Sequence, residues 1–202
     1  PLLAALVFKR GYGGDLAVGA MTICSSVMQV VFMPLQGLTQ GAQPIISFNF
    51  GAGNFDRVKK TFRLLITTGF TATLLIWCFI QFFPEPFVAL FNDKEDLTNI
   101  TVWALRIYMS GIFMMGIQTC CQQTFVALGQ AKVSLFLALL RKVILLIPLV
   151  FILPLFLQDK VFAVFLAEPI ADITAALSTG TMFLLRFGKI LKHREEVLSA
   201  QK

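Results

Sequence analysis

The sequence contains no Asp, Glu, Lys or Arg between Asp15 and Asp56. A helix that crosses the hydrocarbon core of a bilayer needs about 20 predominantly apolar residues, and this stretch is longer than that. In a soluble domain, an uncharged segment of this length would leave large apolar patches in water. The whole chain is 57% hydrophobic and only 14% charged, which excludes an intrinsically disordered chain. The sequence therefore predicts an all-α polytopic transmembrane helix bundle.

Charged residues divide the chain into five predicted membrane spans, at about 16–50, 61–83, 98–128, 134–157 and 161–187. The first is too long for one straight crossing. Because it contains Pro34 and Pro44 but no polar turn cluster, a single bent helix is favoured over two helices joined by a tight turn. Pro1–Phe8 is interpreted as the end of a further helix whose start is missing. Residues 1–190 are then a transmembrane lobe, and 191–202 form a tail that is either a short surface helix or a solvated charge run.

Basic residues indicate the orientation in the membrane. The chain has 17 Lys and Arg against 11 Asp and Glu, and most of the basic residues lie between apolar segments. This is typical of cytoplasmic membrane loops rather than of a nucleic-acid-binding surface. Segments 51–63 and 129–133 and the C-terminal tail share one side of the predicted bundle and hold the basic excess. They predict a multi-pass protein of the cell (inner) membrane with a cytoplasmic C-terminus.

Uncharged polar residues form a stripe along the first predicted span. At about 100° per residue they fall within a sector of about 60°. Such side chains are costly against lipid, so the stripe is predicted to line a hydrated substrate cavity. Helix–helix packing, aided by Gly37 and Gly41, is the alternative. The stripe comprises Thr22, Ser25, Gln29, Gln36, Gln40, Gln43 and Ser47, and its lining candidates are the four glutamines.

The third predicted span offers a second candidate wall. Gln118 and Gln122 share a helix face with Met114, and methionine adapts to varied apolar ligands. These three residues are therefore candidates for lining the substrate cavity. Core packing near the cytoplasmic end of the span is the alternative.

Ionisable residues inside the last two spans are the candidates for a charged site. Arg141 lies ~13 Å from the cytoplasmic start of its span, and Asp172 lies ~18 Å from the outer start of the next. These depths nearly coincide in a core about 30 Å thick, so the sequence predicts that Arg141 pairs with Asp172, with Glu168 one turn further outward on the same face. A structural ion pair is the favoured interpretation of Arg141 and Asp172. Glu168, which precedes Pro169, is the candidate for a protonatable or cation-attracting carboxylate.

Motifs for catalysis or for a cofactor are missing from the sequence. There is no G-x-x-x-x-G-K-[ST] loop for ATP, and the one histidine, His193, lies in the tail. No His-based intramembrane catalysis and no zinc site can be drawn. The sequence therefore predicts a protein that is not an enzyme, with no cofactor and no bound metal.

Several segments resemble the multidrug and toxic compound extrusion (MATE) family. The segment 12–20 (YGGDLAVGA), the segment 41–52 (GAQPIISFNFGA) and Arg57-Val58 resemble its seventh-to-ninth helix region. The resemblance continues through 127–134, 140–148 and 168–172 (EPIAD), and it covers nearly the whole chain. The Gly-Ala-Gln-Pro and Pro-Ile-Ala-Asp segments, in this order and at this spacing, are fairly specific.

The resemblance implies one six-helix lobe of a twelve-helix MATE-like transporter, namely the C-terminal lobe with its first helix truncated. It implies a secondary active multidrug efflux transporter that exports amphipathic organic cations by antiport with Na+ or H+ through alternating access of two lobes. The implied partners are small-molecule organic cations or drugs, the coupling ion, the lipid bilayer and the N-terminal lobe of the same full-length protein. A lipid-linked saccharide flippase of the related superfamily is the alternative, and it should have a more basic cavity.

One departure from the family pattern concerns coupling. Some members carry coupling carboxylates in the seventh and tenth helices, but the segment that corresponds to the tenth, 98–128, has no Asp or Glu. The resemblance therefore favours coupling through an acidic residue of the N-terminal lobe.

Overall fold

The charge-free stretch folds into one helix. In the computed structural model, which describes residues 14–91 and 95–200, helix α1 runs over Gly14–Gly51 and contains both Pro34 and Pro44. Proline removes a backbone donor and bends a helix, but membrane helices tolerate it where neighbouring groups satisfy the freed carbonyls. The single helix predicted for the first span is therefore confirmed. The helix end predicted for Pro1–Phe8 lies outside the described residues.

Gly53 turns the chain from α1 into α2, which runs over Phe55–Phe82. The φ of Gly53 is +76°, a left-handed conformation that glycine adopts at little steric cost. The Asn54 N–H donates to the Asn49 carbonyl at 2.8 Å, which is the six-to-one hydrogen bond of a Schellman motif. The short helix α3, Glu85–Ala89, follows α2.

The third predicted span is bent. It consists of α4, Glu95–Tyr108, and α5, Ile112–Ala127, whose axes meet at 50°. Gly111 lies at this bend and is buried. The bend gives α5 a direction and a rotation that a straight 98–128 helix would not have.

The last two spans are joined by a short connection. The fourth span consists of α6, Ala131–Leu139, a π-helical segment over Leu140–Leu146, and α7, Ile147–Phe156. The Asp159 carboxylate then caps α8, Lys160–Ser199, by accepting hydrogen bonds at 3.0 Å from the backbone N–H groups of Val161 and Phe162. Helix α8 continues without a break through the predicted tail boundary at 190–191.

These elements form a multi-pass membrane bundle. Within the described ranges, four helices are long and apolar enough to cross a bilayer, and the bent pair α4–α5 makes a fifth span. The fold class predicted from the sequence is therefore confirmed. Large apolar side chains such as Phe48, Leu64 and Leu155 are exposed on the outside of the bundle, as contact with lipid requires.

Helix α5 lies in the middle of the bundle, packed against α1, α2 and α8. Small residues allow α2 and α5 to approach closely, since Gly69 faces Cys120 and Gly116 faces Thr73. The Thr73 hydroxyl also donates to the Phe113 carbonyl at 3.2 Å. Small residues serve this purpose in many membrane helix interfaces. This contact fixes which side of α5 faces α2 and hence which side faces the interior of the lobe.

We expect Gly116→Ala to lower the free energy of unfolding of the full-length protein by about 1–3 kcal/mol, the usual cost of overpacking. A Cβ atom at Gly116 would overlap the Thr73 hydroxyl and lie 3.0 Å from the Gly69 carbonyl oxygen. The control is Gly188→Ala, because a Cβ atom there meets nothing within 4 Å. Titration with SDS, followed by circular dichroism, measures both variants. Equal stability of the two variants would argue against the close approach of α2 and α5.

Candidate functional site

A polar cavity lies among α1, the bent pair α4–α5, the π-helical segment and α8. Its volume is about 390 Å³. It combines neutral amides, a tyrosine, two methionines and three ionisable side chains inside the membrane bundle. Its walls are formed by Ser25, Met28, Gln29, Phe32, Gln36, Gln40, Tyr108, Met115, Thr119, Gln123, Arg141, Lys142 and Glu168.

Three of the four glutamines singled out in α1 lie in this wall. Gln29, Gln36 and Gln40 line the cavity and are exposed. Gln43 is half-buried and does not belong to the wall. It lies three residues beyond Gln40, which is the last residue of α1 that lines the cavity. The polar stripe therefore faces the cavity over the middle of α1.

The α5 wall is formed by a different face from the one that the sequence suggested. The cavity is lined by Met115, Thr119 and Gln123, and not by Met114, Gln118 and Gln122. Each lining residue is one position further along the helix, which is a rotation of about 100°. The cause is the contact between α2 and the small residues of α5, which fixes the rotation of α5.

The two glutamines of the suggested face have structural surroundings instead. The Gln122 amide donates to the Ser134 carbonyl at 3.1 Å and so links α5 to α6. Gln118 is 2% exposed, and its Oε1 atom has no hydrogen-bond partner among the described residues. Both side chains are therefore directed away from the cavity.

Arg141 is at the centre of the charged part of the site. Its Nε and Nη2 atoms each lie 2.7 Å from the Asp172 Oδ1 atom, so the predicted pair is present. The side chains of Arg141 and Asp172 are 14% and 2% exposed. The Arg141 Nη2 atom also lies 3.2 Å from the Met115 sulfur and 3.7 Å from the Glu168 Oε1 atom. Asp172 thus pairs closely with Arg141 through its Oδ1 atom, whereas Glu168 has a longer contact and faces the cavity.

The backbone that carries Arg141 and Lys142 is π-helical over Leu140–Leu146. A π-helix has i→i+5 hydrogen bonds and is frequently found at functional sites. Pro148 follows this segment, and a proline ring clashes with the carbonyl of the residue four positions earlier in an α-helix. Pro148 is therefore the sequence feature that could have indicated an irregular helix near Arg141. Lys142 was not singled out from the sequence as a lining residue, although it borders the cavity.

The bend between α4 and α5 packs directly on the carboxylate segment of α8. A Cβ atom at Gly111 would lie 3.0 Å from the Pro169 Cα atom and 3.3 Å from the Asp172 Cβ atom. Tyr108, at the end of α4, borders the same cavity as Glu168. The bend therefore positions both the aromatic wall and the acidic residues.

A family model described as MatE matches residues 3–152. The chain belongs to the MatE family. The match spans α1 to the middle of α7, and it therefore includes the glutamine wall and Arg141. Glu168 and Asp172 lie beyond the matched range.

A curated relative of this MatE chain is the multidrug export protein MepA of Staphylococcus aureus, which is 27% identical over 177 residues. The alignment covers 86% of this chain and 38% of the relative. The MepA of Staphylococcus saprophyticus is 25% identical over 184 residues, with 89% of this chain and 39% of the relative covered. This MatE chain thus spans about two fifths of the length of the curated relatives that it matches.

Solved structures share the fold of this MatE chain. A MATE transporter in its bent conformation superposes with a TM-score of 0.86 at 17% identity, covering 95% of this chain and 42% of that chain. At these identities the similarity establishes the fold alone. The predicted fold, part of one lobe of a MATE-like transporter, is confirmed.

The acidic residues of this MatE chain are unevenly distributed. Among the described residues away from the helix ends, the carboxylates inside the spans are Glu168 and Asp172 of α8. Asp172 is held by Arg141. Glu168 is thus the carboxylate that faces the cavity, and its cationic neighbour, the Arg141 Nη2 atom, lies at the longer distance of 3.7 Å.

Proposed function

We propose that this chain is the C-terminal lobe of a secondary active exporter of amphipathic organic cations, and that the cavity beside Glu168 is part of the substrate path. One observation carries the proposal. Glu168 borders a polar cavity inside a membrane bundle, while the neighbouring Asp172 is already neutralised by Arg141 at 2.7 Å. An intramembrane carboxylate of this kind is a functional site by default, because its burial is costly.

The chemistry of the cavity wall suits amphipathic cations. Glutamine amides supply hydrogen bonds without a fixed charge, while Met28, Phe32 and Tyr108 supply polarizable and aromatic surface. Methionine adapts to ligands of different shape, and aromatic rings attract cations over their faces. Binding many related cations requires such adaptable surfaces rather than a rigid charged clamp.

We further propose that Glu168 binds the coupling ion, H+ or Na+, in competition with the organic cation. Arg141 holds Asp172 in place and lies 3.7 Å from Glu168, so it keeps one carboxylate fixed and leaves the other available for exchange. Alternation of access requires the other lobe, with the substrate path at the interface between lobes. The bend at Gly111 and the π-helical segment border the site and are the elements of this lobe that differ from a straight α-helix.

The basic residues at one end of the bundle support an orientation in the inner membrane with the C-terminus on the cytoplasmic side. One end brings together the start of α2, the start of α6 and the end of α8. It holds the basic residues Arg57, Lys59, Lys60, Arg63, Lys132, Arg186, Lys189, Lys192 and Arg194. The positive-inside rule places such an end in the cytoplasm.

Lys142 favours a second function. It lies in the cavity wall and forms no ion pair with the described residues. A basic cavity suits the phosphate of a lipid-linked saccharide, so a flippase of the related superfamily is the alternative.

Dye efflux from vesicles that contain the full-length protein tests the proposal. We expect ethidium efflux that depends on an imposed gradient of H+ or Na+, because the exporter is coupled to one of these ions. Protonophore treatment and replacement of Na+ by choline distinguish the two ions. Ethidium efflux that does not respond to either gradient, together with translocation of a lipid-linked saccharide, would support the flippase instead.

The glutamine wall makes a sharper test in the same vesicles. We expect Gln36→Leu combined with Gln40→Leu to raise the KM for ethidium roughly 5- to 150-fold, because two hydrogen bonds of about 0.5–1.5 kcal/mol each are lost. The control is Gln43→Leu, which removes the same group from the same helix outside the cavity wall and should leave the KM unchanged. Equal effects of the two changes would exclude the cavity as the binding surface.

A further inference from the structure

A second, strongly basic cleft lies at the other end of the lobe from the α7–α8 connection, between the ends of α1 and α5 and the C-terminal part of α8. We propose that it binds the phosphate headgroup of an anionic phospholipid. The cleft has a volume of about 360 Å³. Its polar lining consists of Gln130 from the turn after α5 and Arg186, Lys189, His193 and Arg194 from α8. No carboxylate belongs to the lining.

The lysine and arginines of this cleft have no acidic partner in the part of the chain that the structure describes. Arg186, Lys189 and Arg194 form no ion pair with the described residues. The Nε atom of Arg194 is buried and has no hydrogen-bond partner in the part of the chain that the structure describes. A buried donor without a partner costs free energy, and hydrogen bonds between guanidinium and phosphate are among the strongest in proteins. A phosphate bound in the cleft would lie beside the Arg194 side chain and neutralise the surrounding positive charge.

The position of the cleft favours a lipid as the source of the phosphate. The last predicted span, 161–187, ends near Arg186, and Arg194 lies eight residues further, or about 12 Å along the helix. The cleft therefore extends from the edge of the hydrocarbon core, which is about 30 Å thick, into the headgroup layer. Its remaining lining is apolar and includes Phe50, which suits the glycerol and upper acyl region of a phospholipid. Basic pockets of this kind between membrane helices bind anionic headgroups on the cytoplasmic side.

The test uses the full-length protein, purified in a mild detergent and titrated with phosphatidylglycerol or phosphatidylcholine. Native mass spectrometry counts the retained lipid, and thermal unfolding measures the stabilisation. We expect phosphatidylglycerol to be retained and to raise the Tm, and phosphatidylcholine to do neither. Arg194→Gln and Lys189→Gln should each weaken phosphatidylglycerol binding by about fivefold, the effect of one basic residue near an anionic surface.

Lys192→Gln is the matched control, because Lys192 lies on the same helix end and is exposed but does not line the cleft. An equal loss of binding in this variant would show diffuse surface attraction and overturn the site. A second experiment measures the Tm of the protein in millimolar inorganic phosphate. If inorganic phosphate stabilises the protein as well as phosphatidylglycerol does, the ligand is a free anion and the lipid assignment fails. Equal retention of phosphatidylglycerol and phosphatidylcholine would also overturn the proposal. If Arg194→Gln does not fold, Lys189→Gln still tests the site, because Lys189 is exposed.

Discussion

Arg141→Met should lower the free energy of unfolding of the full-length protein by about 3–5 kcal/mol, the loss typical of removing one partner of a buried ion pair. Asp172 is only 2% exposed, and its Oδ1 atom lies 2.7 Å from two nitrogens of Arg141. Without the guanidinium, the buried Asp172 carboxylate would have no ion-pair partner among the described residues. Methionine has a similar stem length, so the change removes the charge with little loss of volume.

Two further variants separate the ion pair from general charge effects in SDS titrations. Lys142→Met makes the same substitution at the next residue, which is exposed and unpaired among the described residues, and it should cost less than about 1 kcal/mol. The double variant Arg141→Met with Asp172→Leu should recover most of the loss, since a buried pair is often replaceable by apolar residues. Equal losses in Arg141→Met and Lys142→Met would contradict a structural role for the pair.

Glu168→Gln should reduce gradient-driven efflux of ethidium close to background while the protein remains folded. The amide keeps the size of the side chain but removes the negative charge that faces the cavity. Charge-assisted hydrogen bonds are worth about 1.5–3 kcal/mol, so the affinity for a cation should fall by roughly 10- to 100-fold. Substrate-binding assays and efflux under an imposed ion gradient measure the two parts of this effect.

The stability of the same variant decides between a functional and a structural role for Glu168. Its side chain is 19% exposed and lies 3.7 Å from the Arg141 Nη2 atom, so we expect a loss of less than about 1 kcal/mol, as for partly solvated ion pairs. Glu168→Asp retains the charge and should keep part of the coupled efflux. Full coupled efflux in Glu168→Gln would exclude Glu168 as the coupling residue of this lobe.

The sequence predicted the Arg141–Asp172 pair, because the rise of a helix per residue gives the depth of each side chain in the membrane. The Arg141–Asp172 pair follows from a short connection between antiparallel helices and from similar depths in a core about 30 Å thick. The polar stripe of α1 likewise follows from the helical period, because seven uncharged polar residues at that period must avoid lipid. Both arguments use properties of single helices or of two consecutive ones.

Contacts between helices that are distant in sequence decided the rest. The rotation of α5 is set by Gly116 and Cys120 against α2, and a helical wheel alone does not indicate which face meets which neighbour. The π-helical segment depends on backbone geometry before Pro148, and a hydrophobic pattern does not distinguish i→i+4 from i→i+5 bonding. Lys142 and Thr119 were therefore missed as lining residues, and Met114, Gln118 and Gln122 lie on a neighbouring face of α5, outside the cavity wall.

Helix α8 connects the two charged regions mechanically, because it is unbroken over 40 residues. Arg194 lies 25 residues beyond Pro169, or about 38 Å along the axis. A rotation of α8 by about 10° around Pro169 would therefore displace Arg194 by about 7 Å at this rise per residue. If a ligand at Arg194 and an ion at Glu168 both bind more tightly in the same position of α8, each raises the affinity of the other by the same factor.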